Sequence, residues 1–276
     1  MPRYAKAMNI ARVIKSDHPL SIAEIIDSVP SVAMTYKHPR MSEGYTYIPT
    51  REVLNSLLTQ GFAPFYAAQQ YVKHEANTNF ARHLVRLRHQ DTFGKDLEDV
   101  NELVLINSHD GSSSYQLMAG CFRMICANGL FAGEGITAVR IPHRGNILDK
   151  VLVAANEVST DFKRVDMHKN AMKHAEISKD KSLELAERAI ALRYPKQEDR
   201  YIAPNDLLQP MRYADCDVTK SVWAAYNIIQ ERLMRGGLRT TTGTSHKRRS
   251  YTRAIPPLAG ISLNRNLWSL ALEYAV

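Results

Sequence analysis

The chain is poor in cysteine and has no long apolar run. Three cysteines occur in 276 residues, Cys121, Cys126 and Cys216. That is too few for a disulfide scaffold and suits a reducing compartment. Cys121 and Cys126 stand five apart, a poor spacing for a bridge or a zinc knuckle. Buried thiols are expected. No apolar stretch approaches the ~20 residues that a membrane-spanning helix needs. The opening MPRYAKAMNIARVIKSDHPLS is basic but lacks a signal-peptide core. A cytoplasmic protein is expected.

Motifs for nucleotide and acyl chemistry are also missing. The chain has no Walker loop, no G-x-G-x-x-G after a strand, no paired CxxC and no G-x-S-x-G elbow. His83, His89, His109 and His143 show no recognised ligand spacing, and no carboxylate cluster stands out for a metal-dependent nuclease. No metal and no cofactor are expected.

Acid is in deficit. Lys and Arg total 36 against 28 Asp and Glu, a net charge of +8. That balance favours a polyanionic partner such as nucleic acid. Apolar residues make up 45%, ordinary for a chain with a real core. The length fits one large domain or two small ones.

Leu103 to Phe131 organises the rest. Leu103 to Ile106 reads as a strand buried on both faces. Asn107, Ser108, His109, Asp110, Gly111, Ser112 and Ser113 crowd into a turn. Ser113 and Gln116 have capping-box spacing, and Tyr115, Met118, Phe122, Ile125 and Cys126 recur at helical intervals. A helix over 114–128 is expected, capped by Ser113 and stopped at Asn128-Gly129. The turn has the residue types for ligand contact. Catalysis by His109 and Asp110 is the sharper alternative, although adjacent side chains seldom face one another.

Upstream, Ser21 with Glu24 predicts a short helix, and Thr50 is expected to cap another that stops at Gly61. Segments 62–72 and 82–89 read as strands of an antiparallel meander with 103–106. Gly135 to His143 offers a further strand. Downstream, helices are predicted from Asn146 onward, over 178–194, along Val222 to Leu233 up to Gly236-Gly237, and at 263–274. The fold class expected is α+β: an antiparallel sheet with a packed central helix, then a helical C-terminal half. The expected domains are 1–145 and 146–276.

The basic residues supply the candidate nucleic-acid contacts. Arg86 and Arg88 share one strand face about 6.6 Å apart, close to an extended phosphate repeat; Arg82, Arg140 and Arg144 add to the same half. Tyr66, Tyr71 and Phe80 are either core residues or stacking platforms. Residues 235–253 hold six basic side chains and no acid: Arg235, Arg239, Lys247, Arg248, Arg249 and Arg253. This segment reads as a mobile loop that clamps phosphates.

Several blocks carry a resemblance: YTYIPT (45–50), G-F-x-P-F from Gly61, LINSHDGSSSYQLMAGCFRMICANGL (105–130), R-I-P-H-R-G (140–145), R-G-G-L (235–238) and L-N-R-x-L-W (263–268). In these the chain resembles the YfjQ/YafZ family of uncharacterised prophage- and plasmid-borne proteins. The resemblance implies a bacterial mobile-element setting, a DNA-related or host-defence role, and no assigned activity. Strand-strand-strand-helix order with a basic sheet face is also similar in outline to single-strand annealing recombinases, which oligomerise on DNA. The leading expectation is a non-catalytic protein that binds single-stranded DNA, as a homo-oligomer. A regulatory or anti-defence protein with a host-protein partner, and a hydrolase built on His109/Asp110, stay open.

Overall fold

The structure is a computed structural model that describes residues 12–95, 97–123, 130–131, 138–141, 147–195, 201–211, 220–242 and 248–275. The chain opens with β1 (Arg12–Lys15) and α1 (Ile22–Ser28). α2 (Thr50–Thr59) leads into β2 (Phe62–Gln69), β3 (His83–His89), β4 (Asp99–Asn107) and β5 (Tyr115–Arg123). The short β6 (Leu130–Phe131) and β7 (Ala138–Ile141) follow. The remainder is helical: α3 (Ile147–Thr160), α4 (Phe162–His174), α5 (Lys179–Arg193), α6 (Pro204–Leu207) and α7 (Val222–Arg235). Two strands, β8 (Arg239–Thr242) and β9 (Arg248–Tyr251), precede the last helix, α8 (Ile261–Leu272). The class is α+β, with an antiparallel sheet first and a helical C-terminal half after it.

Two compact units divide the residues. One comprises Met1–Gly120 with Thr137–Phe162, the other Cys121–Ile136 with Lys163–Val276. The boundary expected after residue 145 falls inside the first of these.

In the first unit β1, β2, β3 and β4 pair antiparallel in chain order, and β7 pairs antiparallel with β5. β5 itself is the neighbour of β4. Local sequence explains the helix ends. Ser21 Oγ accepts from the Glu24 N–H while Glu24 accepts from the Ser21 N–H, the expected capping box. α2 ends as expected at Gly61, which sits at φ +82°. Val53, Leu54 and Leu57 of α2 are fully buried, and the helix packs on β2. Burying each leucine contributes about 1.5–3 kcal/mol.

The helix expected over 114–128 is not formed where the chain is described. Tyr115 to Arg123 is a strand, in register with β7 from Tyr115↔Ile141 to Met118↔Ala138. Leu117 to Phe122 are buried without a break. A continuous apolar run has no period that separates a buried helix from a strand covered on both faces. Sheet pairing decided the outcome. Ser113 therefore caps no helix, although Gln116 Nε2 does donate to its Oγ at 3.1 Å. Ile125, Cys126 and Asn128-Gly129 lie outside the described residues. With that helix goes the strand-strand-strand-helix outline shared with annealing recombinases.

The second unit is organised by α7. Its Trp223 and Tyr226 meet Trp268 of α8, with ring centroids 5.7–5.9 Å apart and the two contacts to Trp268 edge-on. Gln230 Nε2 donates to Asn264 Oδ1 at 2.7 Å, a buried polar tie between the same helices. Ser178 caps α5 by accepting from the Lys181 N–H. Gly236, at φ +71°, stops α7 as the sequence leads one to expect. No helix among the described residues is long and apolar enough to cross a membrane.

Candidate functional site

Three groups of sequence-derived candidates have to be placed. The first is the arginine row of β3. Alternation on the strand puts Arg86 and Arg88 on one face, as expected, but that face is not solvated. Both arginines are only 6% exposed. Arg88 Nε donates to Glu102 Oε1 at 2.7 Å, and Arg86 Nε donates to Glu102 Oε2. Glu102, on the adjacent β4, is completely buried. The Arg86 guanidinium lies 4.8 Å from the Tyr66 ring and that of Arg88 4.2 Å from Phe65. This is an interior charge cluster of two cations on one shared carboxylate. Arg82, at the strand's start, is half-buried, and its Nε is covered without a hydrogen-bond partner. Tyr66 and Phe80 are core residues; Tyr71 is exposed. Arg140 on β7 is exposed, while Arg144 lies outside the described residues.

The second group is the turn between β4 and β5. Asn107 Nδ2 donates to Thr50 Oγ1 at 3.0 Å. Thr50 Oγ1 lies 2.8 Å from His83 Nε2, and His83 Nδ1 lies 3.0 Å from the Ala81 carbonyl. A carbonyl only accepts, so Nδ1 carries the imidazole proton and Nε2 accepts a hydrogen bond from the Thr50 hydroxyl. Burial lowers the His83 pKa to about 4, against a smaller upward pull from the Ala81 hydrogen bond. His109 is also fully buried. Its Nε2 donates to the Ser31 carbonyl at 2.9 Å, and its ring lies 5.2 Å from His83 and 5.0 Å from Tyr47. Its backbone is held on both sides, N–H to the Phe80 carbonyl and carbonyl from the His38 N–H.

Asp110 does something else. Its Oδ1 accepts from the Ser112 N–H at 2.9 Å, closing the turn that Gly111 enters at φ +75°. Ser108 Oγ and the Ser113 backbone bond reciprocally, and Tyr45 donates its hydroxyl to the Ser108 carbonyl at 3.0 Å. Thus His109 points inward and Asp110 serves the turn. Chemically the arrangement is a hydrogen-bond network closed to solvent at Asn107, Ser108 and His109. Ser112, Gly111 and Asp110 are its outer rim. Tyr45, Tyr47 and Thr50 supply three of its members, so the YTYIPT block and the N-S-H-D-G block are two halves of one structure. Thr50 does not form the helix cap expected of it: it is the first residue of α2, whose N-cap is Pro49 without a side-chain cap bond. No group of three or more His, Cys, Asp or Glu among the described residues is placed to hold a metal ion; His143 lies outside them.

The third group is the basic segment after α7. It was expected as a loop, and its flanks are instead a two-stranded antiparallel hairpin. Register runs from Arg239↔Tyr251 to Thr242↔Arg248. Three successive β-branched threonines, Thr240 to Thr242, favour extended chain. The base is clamped. Thr252 N donates to the Leu238 carbonyl at 2.9 Å, Gly237 N to the Thr252 carbonyl at 2.8 Å, and Leu238 N to Thr252 Oγ1 at 3.0 Å. Arg193 of α5 joins it by donating to the carbonyls of Leu233 and Arg253. Arg235 is exposed and pairs with Glu231 Oε1 at 3.0 Å. Arg239 and Arg253 are exposed, and neither has an ionic partner among the described residues. Lys247 lies outside those residues. Arg239 of β8 and Arg248 and Arg249 of β9 therefore stand on one short hairpin, with Arg235 at the end of α7 before it and Arg253 just after it.

Residues 37–268 match the family described as Domain of unknown function (DUF932). This chain belongs to the DUF932 family. It is 38% identical over 274 residues to UPF0380 protein YafZ and to UPF0380 protein YfjQ of Escherichia coli (strain K12). Each alignment covers 98% of this chain and 97% of the relative. The resemblance carried by the sequence blocks is therefore a full-length kinship. The match spans both the buried network and the basic hairpin of this DUF932 chain. No solved structure matches it.

Proposed function

We propose that this DUF932 chain is a non-catalytic nucleic-acid-binding protein that takes the backbone of single-stranded DNA along its basic hairpin. The observation that carries the reading is the β8–β9 arm. It rises from a base fixed by Thr252 and Arg193, and it lies in a segment of six basic residues without an acid. A net charge of +8 adds long-range attraction for a polyanion. The buried network around His83 and His109 supports the non-catalytic half of the reading, because its imidazoles are enclosed and used in structural hydrogen bonds. Arg86 and Arg88 have no part in binding here, since Glu102 already holds them inside the sheet. The mobile-element setting implied by the sequence blocks suits such a role.

The test is a salt-dependent titration with labelled single-stranded and duplex oligonucleotides. Each phosphate neutralised on a single strand contributes about −0.7 to the slope of log affinity against log salt. Replacing Lys247, Arg248 and Arg249 together with Ala should shallow that slope by roughly 2. Absence of oligonucleotide binding at low salt overturns the reading, and a host protein then becomes the partner to seek.

A further inference from the structure

The two faces of the hairpin differ in what they meet. Side chains alternate along a strand, and directly opposed residues share a face. Thr240, opposite Ser250, is 1% exposed, so that face is turned into the protein. Arg239 and Tyr251, opposite one another, hold the other face. Arg239 is exposed and Tyr251 is 67% exposed. Arg249 precedes Tyr251 by two residues and Arg253 follows it by two. The aromatic ring thus stands amid basic positions, with Arg239 across the ladder and basic residues before and after it. No acid interrupts the segment.

A tyrosine on a strand usually earns its place by packing, yet this one covers no core. Its environment matches what a single nucleic-acid strand presents. Phosphates need cations at close intervals, and bases need an aromatic surface between them. A duplex offers the phosphates but keeps its base faces stacked inside. We infer that Tyr251 is a base-stacking residue, with Arg239 and Arg253 taking flanking phosphates, so that this face selects single-stranded over duplex nucleic acid. The inference rests on reading the hairpin as the binding arm and adds the residue that gives it strand selectivity.

The experiment compares the parent with Tyr251→Ala, Tyr251→Phe and Arg239→Ala on three labelled probes. These are short oligo(dT), the same oligonucleotide with abasic sites throughout, and a duplex of equal length. Tyr251→Ala should weaken oligo(dT) binding by about 5- to 150-fold, the range of one lost stack, with an unchanged salt slope. It should leave the abasic and duplex affinities alone. Tyr251→Phe should bind as the parent does, because the ring and not the hydroxyl stacks. Arg239→Ala should instead weaken all three probes and shallow the single-strand slope by about 0.7. Two results overturn the inference while leaving the binding arm intact: Tyr251→Ala binding oligo(dT) as the parent does, or weakening all three probes equally. A parent that binds none of the probes overturns both readings together.

Discussion

Thr50 donates a hydrogen bond from its hydroxyl to His83 Nε2 across 2.8 Å and accepts one from the Asn107 amide on the same oxygen at 3.0 Å. One side chain thereby joins α2, β3 and β4. All three residues are fully buried. Thr50→Val keeps the shape and removes both bonds, stranding the His83 ring nitrogen and leaving the Asn107 amide only its 3.4 Å bond to the Ile48 carbonyl. A buried polar group without a partner costs about 1–3 kcal/mol. Urea denaturation should show a loss of at least that size, while oligonucleotide binding by the folded variant stays at the parent's level. Unchanged stability would mean that water or a shifted side chain replaces the hydroxyl, and the network is then no clamp.

The same contact predicts a pH dependence. His83 has its pKa lowered to about 4 in the folded chain, by burial above all. Unfolded, it titrates near 6.5. Between those values the unfolded state binds more protons, so stability rises with pH across the window. The contribution is fully present above about pH 6.5 and is lost as pH falls toward 4. Its size is on the order of 3 kcal/mol. Denaturation of the parent and of His83→Gln at pH 7, 6, 5 and 4 checks it: the variant's profile should be flatter. Nitrogen-detected NMR of the parent should show the ring neutral, with its proton on Nδ1, from pH 7 down to about pH 5.

Glu102 is the counter-ion of Arg86 and Arg88, and the three should behave as one unit. Removing one partner of a buried ion pair typically costs about 3–5 kcal/mol, because charge is left behind in the interior. Glu102→Ala should approach that loss. Arg86→Ala with Arg88→Ala should also destabilise, and should leave the salt slope of DNA binding unchanged. A stable double variant with weakened binding would return these arginines to the nucleic-acid surface. Replacing the whole cluster with Leu at 102 and Met at 86 and 88 should recover part of the loss, as apolar substitutes for buried ion clusters do.

What could be read in the sequence was local. The Ser21–Glu24 capping box and the Gly236 stop lie within a few residues of what they control, and each is in place. The β2–β3–β4 meander was legible because polar and apolar residues alternate along β3. Partners distant in sequence were not legible. Glu102 lies 16 residues from Arg86, and Thr50 lies 33 from His83. Alternation alone could not tell that the arginine face is covered. Tyr115 to Arg123 failed for another reason: apolar on nearly every position, it matches helical spacing and a strand buried on both faces equally well, and the chance S-x-x-Q spacing tipped it toward helix. The basic hairpin was seen as charge but not as structure, because Gly236-Gly237 before its threonines and the run of basic residues after them read as loop.

Those glycines supply the last prediction. Gly236 ends α7 at φ +71°, a backbone conformation strained for residues with a Cβ. A Cβ there would also meet the backbone of Arg253, with its carbonyl carbon at 2.6 Å. Gly237, at φ +76°, has open space where a Cβ would go. The two should therefore separate strain from clash. Gly237→Ala carries the conformational penalty alone, about 1 kcal/mol or somewhat more. Gly236→Ala carries that penalty and must push Thr252-Arg253 away from α7, unseating the strand that Arg193 and Thr252 hold. Its stability loss should exceed that of Gly237→Ala. It should also lower affinity for oligo(dT), because the arm loses its fixed base, whereas Gly237→Ala should bind nearly as the parent does. Amide exchange at Leu238 and Thr252 reports the base directly and should accelerate most in Gly236→Ala. Equal effects of the two substitutions on exchange and binding would show that the hairpin does not depend on this close approach.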